Sequence, residues 1–166
     1  MSEFANLYLT AVIGMLEKIR NQEMPALDQA ANLLADAIEQ GKCIFAFGCS
    51  HSSLPIQDLV YRAGGLMLIN PIYGPGITAM DTRPPTLGSD IEKLSGYAKL
   101  LLDNSPIQRD DVLILVSVSG RNAVPIEMAQ LARERGIRVI GVTSRAYTGA
   151  VESRHPSGKK IRVCRH

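Results

Sequence analysis

The chain has 166 residues, 46% of them hydrophobic, 20% charged and 5% aromatic, with 18 Lys and Arg against 16 Asp and Glu. That length suffices for one domain that buries a core without disulfides or metal, and the apolar fraction excludes wholesale disorder. No apolar run approaches the roughly 18 residues of a membrane helix, and the N-terminus lacks the basic region of a signal peptide. Cys43, Cys49 and Cys164 are odd in number and form no CxxC pair, so neither a disulfide scaffold nor a zinc knuckle is written here. The expected setting is the cytoplasm, with no metal, no cofactor and no membrane.

The net charge of +2 divides unevenly. Residues 1–137 hold 11 Lys and Arg and 15 Asp and Glu, while residues 138–166 hold 7 and 1. A basic tail can seek phosphates, membranes or nucleic acid. With no Trp and no basic run longer than Lys159-Lys160, stacking platforms for nucleic acid are not indicated. Arg154 and His155, in that tail, are expected at the surface.

In chain order, Phe4, Leu7, Tyr8, Ala11, Val12, Met15, Leu16 and Ile19 repeat as the stripe of an amphipathic helix over about 2–20, which Pro25 breaks. A second helical pattern from Leu27 to Ile38 ends near Gly41. The period then changes. Cys43 to Phe47, closed by Gly48, predicts a buried strand, and Leu66 to Ile69, stopped by Asn70-Pro71, predicts another. A stretch without periodicity follows to Ser89, and irregular segments of that length are usually functional. A helix is predicted over about 90–102, a strand over Val112–Val116, a helix over about 123–135 ending at Gly136, and a strand over Arg138–Val142. Fully apolar strands alternating with helices predict an α/β fold, a three-layer α-β-α sandwich around a parallel sheet. The expectation is a single domain over 1–166 with an N-terminal helical segment over 2–40.

Two strand ends look alike. One runs into Gly48-Cys49-Ser50-His51-Ser52-Ser53, the other into Ser117-Val118-Ser119-Gly120-Arg121-Asn122, and each then enters a helix. Each places hydroxyls and free N–H groups at a helix N-terminus, on the sheet edge where open α/β folds bind ligands. Ser and Asn before a helix are also ordinary N-caps. Ser-x-Ser-Gly nevertheless supplies more hydroxyls than one cap uses, and its pairing with a second Ser-rich turn suggests a ligand with a phosphate and several hydroxyls. Competing motifs are missing: there is no GxGxxG with its acid, no P-loop and no GxSxG elbow.

Residues 112–144, with strand, Ser-x-Ser-Gly turn, helix and strand, resemble the SIS (sugar isomerase) domain of phosphosugar isomerases and phosphosugar-binding regulators. Gly48-Cys49-Ser50-His51 is similar to the Gly-Gly-Ser-His of phosphoheptose isomerase. The whole chain looks most like stand-alone proteins of this family without an assigned reaction. The resemblance implies that Ser117, Ser119 and Asn122 line a phosphate pocket, that Gly120 lets the backbone approach, and that Ser50, with Ser52 beside it, meets the sugar. It also implies a homo-oligomer, dimer or tetramer, packed through the N-terminal helices. Phosphoheptose isomerase carries a His and a Glu on the helix after its first motif, where this chain has Ile56 and Val60. The heptose reaction is therefore not expected. Asn122 also departs from the Ser or Thr of many relatives.

Aldose–ketose isomerisation needs a base, and Glu92, after the long loop, is the leading candidate. Ser89-Asp90-Ile91-Glu92 is also a capping box, in which Glu92 would bond only the N-cap N–H. His51 can shuttle protons near neutral pH, donate to a ligand, or stand exposed. Cys49 sits where a helix dipole would lower its pKa, yet no partner base is evident, and packing is the expected role. The functional expectation is phosphosugar binding with isomerisation as the associated chemistry; the alternative is a non-catalytic phosphosugar-sensing module. Relatives continue into a further helix and a fifth strand, whereas four strands are clear here. A chain shortened or frame-shifted after about residue 160, with Ile161 to His166 as a poor fifth strand, is part of the expectation.

Overall fold

The computed structural model describes residues 2–78 and 82–161. The chain divides into two compact units, Met1–Asp36 and Ala37–His166, with the division inside the second helix. Helix α1 spans Glu3–Gln22, its first turn capped by the Ser2 hydroxyl, which accepts from Ala5 N–H. Helix α2 spans Met24–Glu39. Pro25 therefore falls in the first turn of α2, where a missing N–H costs nothing. No residue of α1 is buried, and Phe4 is 82% exposed.

The second unit is built on a four-stranded parallel sheet of order β2-β1-β3-β4, with β1 Ile44–Gly48, β2 Ile69–Pro71, β3 Val112–Val116 and β4 Arg138–Val142. A Ser50–Ser53 3-10 turn and α3 (Leu54–Leu59) follow β1; α4 (Pro85–Ile91) and α5 (Tyr97–Asp103) follow β2. Helix α6 (Ala123–Glu134) joins β3 to β4, and α7 (Arg145–Ala150) follows β4. Crossovers between parallel strands are right-handed. In this strand order the β1→β2 and β3→β4 crossovers run in opposite directions, which puts α3 and α6 on opposite faces. The expected three-layer α/β architecture is the one observed. Phe45, Phe47, Leu113 and Leu115 meet Ala98, Leu101 and Leu102 of α5 and Val124, Ile126 and Met128 of α6 in one core. The alternate residues Ile44, Ala46 and Val112 are buried too, so both faces of the sheet are covered.

Two elements differ from the sequence expectation. The strand expected over 66–69 starts only at Ile69 and runs through Asn70 and Pro71. As an edge strand, β2 has a neighbour on one side only, which is where a proline is tolerated. Leu66, Met67 and Leu68 stay exposed ahead of it. The single helix expected over 90–102 is two. Pro85 starts α4 early, and Gly96, in the left-handed region at φ +88, starts α5 afresh. Ser89 therefore lies inside α4 and Glu92 at its C-terminal end, so the expected capping box does not form. Among the described residues no fifth strand is present; residues 162–166 of the expected poor strand lie outside them.

Asp111 ties the sheet to the loop ahead of β3. It is buried, and its carboxylate accepts from Cys43 N–H at 2.9 Å and Gln108 N–H at 2.7 Å. An amide in its place turns an NH2 toward one of these donors and leaves a buried N–H unpaired. Asp111→Asn is expected to lower unfolding stability by about 1–3 kcal/mol, read from the urea midpoint at unchanged slope.

Candidate functional site

At the end of β1 the backbone closes on itself. A Cβ on Gly48 would stand 2.1 Å from the Ser52 carbonyl oxygen, so only glycine allows the 3-10 turn to fold this tightly. Ser50 takes φ +49 and donates its N–H to Ile77 O at 2.5 Å. The long loop is thereby anchored: Gln57 Nε2 also donates to Thr78 O at 2.8 Å, and the buried Ser53 hydroxyl lies against the same oxygen. This turn directs Ser52 toward the end of β3.

The end of β3 forms the second turn. Ser117 is buried; its N–H donates to Val142 O, and its hydroxyl accepts from Gly120 N–H at 3.3 Å. Gly120 takes φ +57, and a Cβ there would meet Ile161 at 3.1 Å and Thr148 at 3.2 Å. Asn122 is the N-cap of α6, yet its side chain does not cap. The backbone carbonyl of Glu92 accepts the N–H of Val124 at 3.0 Å instead, and the Asn122 amide donates to the Glu92 carboxylate. Among the described residues the N–H groups of Ser119, Arg121 and Asn122 have no backbone acceptor. Hydroxyls, free amides and the positive end of a 12-residue helix thus share one place.

These turns enclose a cavity of about 230 Å³ lined by Ser52, Glu92, Ser117, Val118, Ser119, Arg121, Asn122, Tyr147 and Arg154. Of the residues singled out in the sequence, Ser52, Ser117, Ser119, Asn122 and Glu92 come together, with Gly120 shaping the turn among them. Ser50 and His51 are not in the lining: Ser50 faces Gly88 of α4, and His51 is exposed. Ile56 and Val60 lie on and at the end of α3, Ile56 buried as packing. Among the described residues no group of three His, Cys, Asp or Glu side chains is placed to hold a metal ion.

Arg121, Tyr147 and Arg154 line the cavity without having been singled out. Arg121 Nε is buried with no hydrogen-bond partner. Arg154 donates its N–H to Arg121 O at 2.7 Å, and its Nη1 lies 3.5 Å from Asn122 Oδ1. Arg154 is exposed as expected but at the cavity rather than away from it. The expectation that His155 lies at the surface is corrected: its side chain is only 12% exposed, with Nε2 3.3 Å from Glu127 Oε1. The basic excess over 138–166 was the available signal, but charge alone does not say where a tail folds.

Cys49 is buried, and burial together with the negative charge of Glu92 pushes its thiol well above the usual range. The helix-dipole effect is outweighed, and packing is the role the geometry fits. Tyr97 is also raised, chiefly by burial, and its hydroxyl donates to Pro75 O at 2.7 Å.

Among the described residues no helix is long and apolar enough to cross a membrane. The family model of the SIS domain matches residues 7–144. The chain is 47% identical over 161 residues to a UPF0309 protein of Streptomyces avermitilis, covering 97% of this chain and 64% of that one. It is 49% identical over 154 residues to a UPF0309 protein of Streptomyces coelicolor, covering 93% and 61%. The chain thus spans under two thirds of the length of these curated relatives. Among solved structures, it is similar to a phosphoheptose isomerase from Neisseria gonorrhoeae, with TM-score 0.64, 20% identity, and 92% of this chain and 82% of that one covered. A phosphoheptose isomerase from Francisella tularensis gives TM-score 0.65 at 20% identity, covering 93% and 83%. At that identity the likeness is one of fold. The sequence match over residues 7–144 carries more: the chain belongs to the SIS domain family.

Proposed function

We propose that this chain binds a phosphorylated sugar in the cavity between the ends of β1 and β3. The observation that carries the reading is the convergence of Ser117, Ser119 and Asn122 with the partnerless Nε of Arg121 at the N-terminus of α6. A guanidinium N–H buried without an acceptor costs about 1–3 kcal/mol, and an anionic oxygen satisfies it. The unpaired amides of residues 119, 121 and 122 point to the same kind of ligand. Ser52 on the facing turn, and Tyr147 at the rim, suit the hydroxyls of the sugar. Family membership and the phosphoheptose isomerase fold agree with this class of ligand. A cytoplasmic setting fits the free thiols of Cys43 and Cys49.

The chemistry that suits the site is aldose–ketose isomerisation. A proton leaves the carbon bearing the hydroxyl and returns to the neighbouring carbonyl carbon, while the hydroxyl proton passes to the carbonyl oxygen. One carboxylate can take the proton from the first carbon and return it to the second, in either direction of the reaction. Glu92 lines the cavity with its carboxylate oriented by the Asn122 amide, so it is the base in this reading. The alternative, a non-catalytic sensing module, is favoured by one specific observation. Neither described imidazole lines the cavity: His51 is exposed, and His155 faces Glu127. The same reading holds the chain to be a homo-oligomer, because α1 presents Phe4, Leu7, Tyr8, Ile13, Leu16 and Ile19 to solvent in a single chain.

Thermal-shift screening against hexose, hexosamine and heptose phosphates, NAD and ATP is expected to show stabilisation by a sugar phosphate alone. Ser119→Ala is expected to abolish that shift while leaving the ligand-free melting temperature within about 1–2 °C. Stabilisation by nucleotides only would contradict the reading. Glu92→Gln is expected to retain binding and lose isomerisation by roughly 100-fold or more; a parent that binds but never turns over identifies the sensing module. Leu16→Asp on α1 is expected to shift light-scattering mass from a multiple of the chain toward the monomer, and a parent that is already monomeric contradicts self-association.

A further inference from the structure

The family match ends at residue 144, and the segment beyond α7 folds back onto the Ser-x-Ser-Gly turn. At its far end Ile161 donates its N–H to Gly120 O at 2.9 Å and packs its buried side chain over Gly120. At its near end Arg154 N–H donates to Arg121 O at 2.7 Å. Between them Lys160 Nζ donates to the carbonyls of Thr148 and Val151 at 2.6 and 2.9 Å, so this lysine closes the segment rather than facing a ligand. His155 is fixed from both ring nitrogens, Nε2 3.3 Å from Glu127 Oε1 and Nδ1 2.6 Å from Ser157 Oγ. Glu127 in turn accepts Gly96 N–H at 2.7 Å through its other oxygen.

We propose that residues 153–161 form a strap that makes Arg154 a phosphate-binding cation, with Glu127 and His155 as the residues that position it. The inference rests on the reading of the cavity as a phosphosugar site and assigns that site its second guanidinium. The charge balance favours it. A phosphate monoester carries about −1.5 to −2 near pH 7, and a helix N-terminus offers only about half a positive charge. Arg121 supplies one unit, which leaves the dianion undercompensated until Arg154 is counted. Asn122 keeps that cation available. Its Nδ2 is committed to Glu92, so its Oδ1 faces Arg154 and stands between guanidinium and carboxylate. Among the described residues no carboxylate pairs with Arg154, and the rest of its N–H fork is left for a ligand. Such a fork distinguishes phosphorylated sugars from their neutral forms and holds a phosphate in two-point geometry that a lysine does not reproduce.

The test titrates inorganic phosphate into the full chain at constant ionic strength, by calorimetry. Arg154→Gln is expected to weaken phosphate binding at least tenfold, and Arg154→Lys by a smaller factor, because the charge returns without the fork. Glu127→Gln keeps an acceptor for Gly96, so the ligand-free melting temperature is expected to hold while phosphate affinity falls by roughly threefold or more. Affinity in Arg154→Gln equal to the parent, with binding lost in Ser119→Ala, would overturn the strap assignment and leave the phosphate loop standing. A parent that binds neither phosphate nor any sugar phosphate would overturn the reading beneath both.

Discussion

Pairing Gly48 with Val116 brings the ends of β1 and β3 to the same level of a parallel sheet. Two turns that leave adjacent strands at one level must face each other; both carry hydroxyls, and the turn after β3 adds the amides of residues 119, 121 and 122 that have no backbone acceptor. A slip of one residue would turn one strand's pair, Phe45 and Phe47 or Leu113 and Leu115, out of the shared core and would also stagger the two turns. Burial of those side chains therefore fixes the geometry of the cavity. Asp111, buried at the start of β3 and bonded to Cys43 N–H ahead of β1, pins the same register from the opposite end.

The second constraint is an exchange of caps. Asn122 stands where an N-cap side chain would bond the first turn of α6, yet Glu92 O accepts the Val124 N–H instead. One backbone carbonyl thus releases the Asn122 amide to orient the Glu92 carboxylate. Asn at position 122 gains physical sense here, since a hydroxyl is too short to span Glu92 and Arg154 together. The negative charge held in this position is also felt by the buried Cys49 thiol, which is pushed up rather than activated. Cys49, beside the first turn, is packed in the hydrophobic core.

What could be read from the chain alone follows from where periodicity is strong. The run Val112–Val116, the turn after it, α6 with its stop at Gly136, and Arg138–Val142 stand as expected, because apolar strands and a glycine stop are local signals. Glu92 came to the cavity by a different route from the one its sequence context suggested. Ser89 to Glu92 reads as a helix start, but Pro84-Pro85 begins α4 earlier and Gly96 divides the helix, which turns an apparent cap into the end of α4. Arg121 was hidden inside a motif usually read for its serines. Arg154 was hidden because the strap has no period; it is held by contacts to Arg121 O, Gly120 O and Glu127, all distant in sequence.

The chain spans 61–64% of the two Streptomyces relatives, so the activity of the complete relatives is a separate matter from the binding geometry described for these residues. Where the phosphate sits is decided by a crystal structure with the sugar phosphate that stabilises the chain in the thermal-shift screen. The phosphate is expected within hydrogen-bonding distance of the Ser119 hydroxyl and Arg121 Nε, with the sugar extending toward Ser52 and Glu92. A phosphate bound away from the Ser117–Asn122 turn, or a cavity unoccupied at saturating ligand, would contradict it.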